Sequence, residues 1–166
     1  MVGCFESADM LTLTLVLALV QASAMAFDEG WFHRRRGLPR WERIGHPLDT
    51  LSAALCFAWM LWADPQTPHA IGIYVGLGIF SSILITKDEF IHAKHCAPTE
   101  HWLHAVLFVV HPMVLTSFGY LWISQVAAVQ WMLQVQLGLI LLFAVYQIFY
   151  WSIFCNHRDR PTAVCP

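Results

Sequence analysis

Charge is what this chain has least of. Only 12% of its 166 residues are Asp, Glu, Lys or Arg, against about 25% in soluble domains. Nine Lys and Arg and a formal net charge of −2 leave no basic stripe outside one loop, so nucleic acid is excluded as a partner. None of the cysteines (Cys4, Cys56, Cys96, Cys155 and Cys165) falls in a Cys-x-x-Cys pair, so no disulfide framework is indicated and free thiols are the default. The chain has no internal repeat and no low-complexity linker. Lys and Arg are missing altogether from the N-terminal stretch and from segments 63–69 and 124–129.

What fills the chain is apolar sequence, 58% of it hydrophobic. A soluble protein of this length is one domain; here the length suits about five membrane helices of ~20 residues. The runs predict an all-α, single-domain integral membrane bundle with helices at about 10–33, 47–62, 70–92, 100–123 and 130–154 and a polar basic loop at 34–46. Pro47 suits a first helical turn, and Asp49 is favourable near that positive end. Asp64-Pro65-Gln66-Thr67-Pro68 cannot continue a helix and reads as a turn. Thr99 is a cap for the fourth helix. Ala22-Ser23-Ala24-Met25-Ala26 resembles a signal cleavage site. The region before it, however, holds Glu6 and Asp9 and no basic residue, so a retained helix is expected.

In a five-helix reading all nine Lys and Arg lie on one side. The positive-inside rule makes that side cytoplasmic, with the N-terminus outside and the C-terminus inside a bacterial-type inner (plasma) membrane. Trp31, Trp41, Trp102 and Trp151 would mark the inner interface; Trp59, Trp62, Trp122 and Trp131 would mark the outer one.

Seven histidines (His33, His46, His92, His95, His101, His104 and His111) and seven carboxylates (Asp28, Glu29, Glu42, Asp49, Asp88, Glu89 and Glu100) gather at the inner ends of these segments. Ionisable groups near hydrocarbon are costly and are paired, metal-bound or functional. Glu29 and His33 are four apart, as are Asp88 and His92; Glu89 and His92 form Glu-x-x-His; Glu100, His104 and His111 share one helix face, with His101 beside it. Facing carboxylates and imidazoles are the donor set of dinuclear helical bundles. The candidate ligands are Glu29, His33, His46, Asp49, Asp88, Glu89, His92, Glu100, His101, His104 and His111. Interface ion pairing with the arginine loop is the alternative for Glu29, Glu42 and Asp88, and helix capping for Asp49. The choice between Asp88 and Glu89 stays open, as do the roles of Glu42, His95 and Cys96. His69 and His157 are bystanders.

This richness in histidine at cytosolic helix ends, with His92-x-x-His95 and His101-x-x-His104, resembles the integral-membrane di-iron desaturases and hydroxylases. The resemblance covers the 28–111 region and is one of architecture: the chain has no His-His pair and no His-x-x-x-His. It implies two metal ions, iron favoured with zinc or manganese as alternatives, a lipid or apolar substrate reaching the site laterally, and an electron donor. The function expected is a di-iron oxidoreductase. A zinc-dependent intramembrane hydrolase and a non-enzymatic metal-handling protein are the alternatives. The one-sidedness of the polar groups weighs against a transport path.

Overall fold

The computed structural model describes residues 2–87, 89 and 96–154. Among the described residues it is 86% helical, with no strand and five helices. Helix α1 spans Val2–Phe27, continues as a π-helical turn over Asp28–His33 and ends in a last turn at Arg34–Arg36. Helix α2 spans Arg40–Trp62, α3 Ala70–Leu84, α4 Pro98–Ile123 and α5 Val129–Phe149, the last running into a second π turn at Tyr150–Phe154.

Three of these are long and apolar enough to cross a membrane: Ala8–Arg36, Pro98–Ile123 and Val129–Phe149. Five spanning helices were expected. Helix α3 is apolar but only 15 residues long, which at ~1.5 Å per residue falls short of a ~30 Å hydrocarbon core. Helix α2 opens with Arg40, Glu42 and Arg43 before its apolar stretch begins.

The connection between α1 and α2 is far tighter than the expected loop over 34–46. Only residues 37–39 leave helical geometry. Gly37 takes φ 79°, a left-handed value that glycine adopts without strain. Pro39 then sits extended at ψ 157°, immediately ahead of the first turn of α2. Pro47 lies inside α2 rather than at its start, where its missing N–H leaves one backbone acceptor unmatched. At α4 the helix begins earlier than expected: Pro98 opens it, Ala97 before it is extended at ψ 150°, as a residue preceding proline prefers, and Thr99 lies inside the first turn instead of capping it.

Helix α1 packs on α4, α2 packs on α5, and α3 lies across α2 and α4. The apolar core concentrates toward the loops at 63–69 and 124–129, around Phe57, Met60, Phe118, Leu121, Trp122 and Leu133. Phe57 and Phe118 meet edge to face with ring centroids 5.0 Å apart, a geometry that suits their quadrupoles. The indole of Trp59 donates to the Ala70 carbonyl at 3.0 Å and that of Trp122 to the Ala63 carbonyl at 3.2 Å, stapling both ends of the 63–69 loop. Tyr74 donates to the Leu115 carbonyl at 2.6 Å and lies against Gly119, whose missing Cβ leaves room for the ring. The outward faces of α1 and α5 carry Leu15, Val16, Leu19, Leu139, Leu142 and Val145, all exposed. A helix with apolar side chains all round suits lipid rather than water.

Candidate metal centre

The opposite end of the bundle is polar and buried. Asp28, Glu29, His33, Glu42, Glu100 and His104 are all almost wholly inaccessible, Glu42 and Glu100 at 1%. Ligand atoms of Asp28, His33, Glu100 and His104 lie within 4.8 Å of one another, and a second group of His33, Glu42 and His46 meets the same limit. The first group draws on α1 and α4, which pack directly. The second is brought in by the short turn at Gly37, which folds the start of α2 back on the end of α1.

The π turn explains how Asp28 comes to the cluster. On a regular α-helix residues five apart diverge, whereas a π turn closes its hydrogen bonds from i to i+5. Asp28 and His33 therefore share a face, with Asp28 Oδ2 3.2 Å from His33 Nε2 and 3.3 Å from His104 Nε2. His33 Nε2 also lies 4.0 Å from Glu100 Oε1. The other ring nitrogen, Nδ1, is 3.1 Å from Glu29 Oε2. Both oxygens of Glu29 are engaged, because Oε1 accepts from the Tyr146 hydroxyl at 3.1 Å and from the Trp151 indole. Glu29 thus orients His33 from behind and couples it to α5.

Arg36 joins the two groups. Its guanidinium makes a two-pronged pair with Glu42 at 2.8 and 3.1 Å and donates to Glu100 at 3.0 Å. The carboxylates of Asp28, Glu29, Glu42 and Glu100 are all buried at this end, and Arg36 pairs with two of them, Glu42 and Glu100. Buried charge left uncompensated is strongly unfavourable. Asp28 Oδ1 and His33 Nε2 are buried and make no hydrogen bond among the described residues. A buried donor set of carboxylate oxygens and imidazole nitrogens fits a divalent cation.

The other sequence candidates occupy distinct places. Asp49 receives both prongs of an ion pair from Lys87, at 2.6 and 2.7 Å, on the cavity wall. Glu89 Oε1 pairs with His101 Nδ1 at 3.1 Å on a more open face. His111 lies deeper and hydrogen bonds to Gln21 and Ser81. Asp88, His92 and His95 lie outside the described residues. Cys96 is half-buried, and burial pushes its thiol above the ordinary range, with Arg36 opposing and Glu100 and Glu42 adding. Asp28, absent from the predicted ligand set although it stands among the seven carboxylates, is the residue that periodicity of 3.6 misses.

Beside the cluster lies a cavity of ≈ 320 Å³ bordered by α1, α2, α4 and α5. Asp28, His33, His46 and His104 form its polar end, and Ala22, Met25, Ala53, Phe57, Phe108 and Phe143 form much of its wall. This is the common make-up of a small-molecule site: mostly apolar, with a few convergent polar groups. A second, more open groove of ≈ 620 Å³ lies between α3 and α4, and its described lining holds no Asp, Glu, His, Lys or Arg. The structure therefore shows a His/carboxylate cluster able to bind a metal ion in a helical, membrane-like protein. No protein-family model, no curated protein and no solved structure matches this chain.

Proposed function

We propose that this protein is an integral-membrane di-iron oxidoreductase that oxidises a lipid or another apolar molecule at the cytoplasmic face of the membrane. The observation that carries the reading is the convergence of Asp28, His33, Glu100 and His104 within 4.8 Å, buried, and opening onto an apolar cavity. His33, Glu42 and His46 supply a second, contiguous group, which favours two ions over one.

Mixed carboxylate and imidazole donors suit iron, manganese and zinc alike. The His-rich helix ends resemble those of the integral-membrane di-iron desaturases and hydroxylases, which favours oxidation over hydrolysis. When bound, the two irons supply the activation of dioxygen. Hydroxylation balances as one C–H bond and one dioxygen, with two electrons and two protons, giving one C–OH and one water. The electrons come from a donor protein, for which the charged inner face is the docking side. The chain's own groups set the stage. Glu29 holds the His33 ring so that Nε2 faces the cluster, a support that keeps a ligating imidazole in register. Arg36 fixes Glu42 and Glu100. The side chains of Met25, Phe108 and Phe143 position an apolar substrate beside the polar end. The placement of this end on the cytoplasmic side rests on the one-sided Lys and Arg distribution.

The test is lipid analysis after supply of iron, a chemical reductant and oxygen to the protein in vesicles of its host's lipids. The expected result is an oxygen-dependent gain of one oxygen atom or loss of two hydrogens in a lipid-soluble component, absent in His104→Ala. An unchanged lipid profile with iron-loaded protein would overturn it.

A further inference from the structure

Arg34, Arg35, Arg36, Arg40 and Arg43 crowd the polar end of the bundle, where α1 turns into α2. Arg36 points inward and spends its charge on Glu42 and Glu100. Arg34 and Arg35 are exposed, and neither makes an ion pair with a carboxylate among the described residues. Each is held against an aromatic ring instead.

The guanidinium of Arg35 lies 3.3 Å from the centre of the Trp31 ring. Trp31 in turn stacks on Phe27, with centroids 6.0 Å and planes 12° apart. All three side chains are exposed, so Phe27, Trp31 and Arg35 form a column on the outer face of α1. At ~1.5 Å per residue the column rises about 12 Å. That is enough to run from the edge of the hydrocarbon through an interfacial layer roughly 5–8 Å deep. A second column stands at the end of α5. The Arg34 guanidinium lies 5.3 Å from the centre of the Tyr150 ring, and Tyr150 stacks on Tyr146 with centroids 5.2 Å apart. Arg34 also donates to the Tyr146 hydroxyl at 3.5 Å, and that hydroxyl donates to Glu29 at 3.1 Å. A guanidinium on a ring face keeps in-plane N–H donors for an oxyanion, which it binds in a two-pronged fashion.

We propose that Arg34 and Arg35 bind the phosphate of an anionic glycerophospholipid in the leaflet at the polar end of the bundle, with its acyl chains lying along the two aromatic columns. The order of groups on each column identifies the partner. Apolar or amphipathic rings stand at chain and interface depth, and a cation stands at headgroup depth. A soluble anion matches the cations alone and leaves the rings unused. A zwitterionic lipid brings its own ammonium to two guanidiniums and is disfavoured. The columns belong to helices that pack on different partners, α1 on α4 and α5 on α2. The lipid therefore sits where the two helix pairs meet and braces them beside Glu29.

The test is native mass spectrometry of the full-length protein, released from detergent with dioleoyl phosphatidylglycerol or dioleoyl phosphatidylcholine. A basic residue at the headgroup contributes about five-fold. Wild type should therefore retain the glycerol lipid over the choline lipid by about ten-fold or more. Arg34→Gln/Arg35→Gln should bring the ratio near one. Arg40→Gln removes an exposed arginine that belongs to neither column and should leave most of the preference. Equal retention of the two lipids by wild type, or a preference that survives the double variant, would overturn the proposal. A loss in Arg40→Gln as large as in the double variant would overturn it as well, because the attraction would then be spread over the whole basic turn. So would displacement of the lipid by an equal concentration of glycerol phosphate, which would show that a free phosphate ester binds without chains. The readout needs no metal, so its outcome and that of the di-iron reading are separate.

Discussion

Individual side chains divide the polar end into groups that touch the proposed ion and groups that hold them. His33 shows both relations at once, with Nε2 beside Asp28 and Nδ1 bound to Glu29. Truncation of His33 or His104 to Ala should abolish iron binding in protein that stays helical, read by elemental analysis and circular dichroism. Full metal occupancy in both would remove the site from these residues. Glu29→Gln should weaken iron binding about 10–100-fold rather than abolish it, measured by chelator competition. Arg36 has a different duty. Its removal breaks a buried ion pair with both Glu42 and Glu100, so metal-free Arg36→Met should lose about 3–5 kcal/mol of stability. The double variant with Glu42→Gln should regain part of it. Unfolding in detergent measures both, and an unchanged midpoint for Arg36→Met would contradict a stabilising role for this ion pair.

At the scale of the helices, the departures from simple periodicity are what build the site. The five apolar runs and the break at Asp64–Pro68 were legible because composition and proline chemistry act locally. The start of α2 at Arg40 was not, because what holds Glu42 there is Arg36 from the preceding helix, a tertiary contact with no periodic trace. The π turn was equally hidden. A 3.6-residue period puts Glu29 and His33 on one face, and the wider turn adds Asp28 to it. His33, Glu100 and His104 were legible as ionisable groups at apolar helix ends, and their meeting depends on α1 packing against α4. The same packing logic makes a prediction away from the site. A Cβ at Gly119 would meet Tyr74 Cε1 at 2.5 Å, and the Tyr74 hydroxyl is tied to Leu115 O, so the ring cannot simply swing away. Gly119→Ala should cost about 1–3 kcal/mol, and unfolding in detergent checks it; a neutral effect would show that α3 and α4 part more easily than their packing indicates.

The whole molecule joins an apolar, close-packed half to a charged half. The one-sided distribution of Lys and Arg predicts which half faces the cytoplasm. Gln66→Cys, in the loop joining α2 and α3, should react with a membrane-impermeant maleimide in intact cells, while Arg35→Cys should react only after permeabilisation; the reverse pattern would place the cluster outside. Between the helix pairs α1–α4 and α2–α5 the charged half encloses the cavity, so the His/carboxylate cluster and the apolar wall border one compartment. Everything in the functional account depends on a cation in that compartment. The measurement that tests this most directly is the metal content per chain of gently purified protein. About two irons per chain is the predicted result. Protein that is folded, contains no metal and takes up none on reloading would reduce the cluster to a network of ion pairs and hydrogen bonds, and the enzyme reading would fall with it.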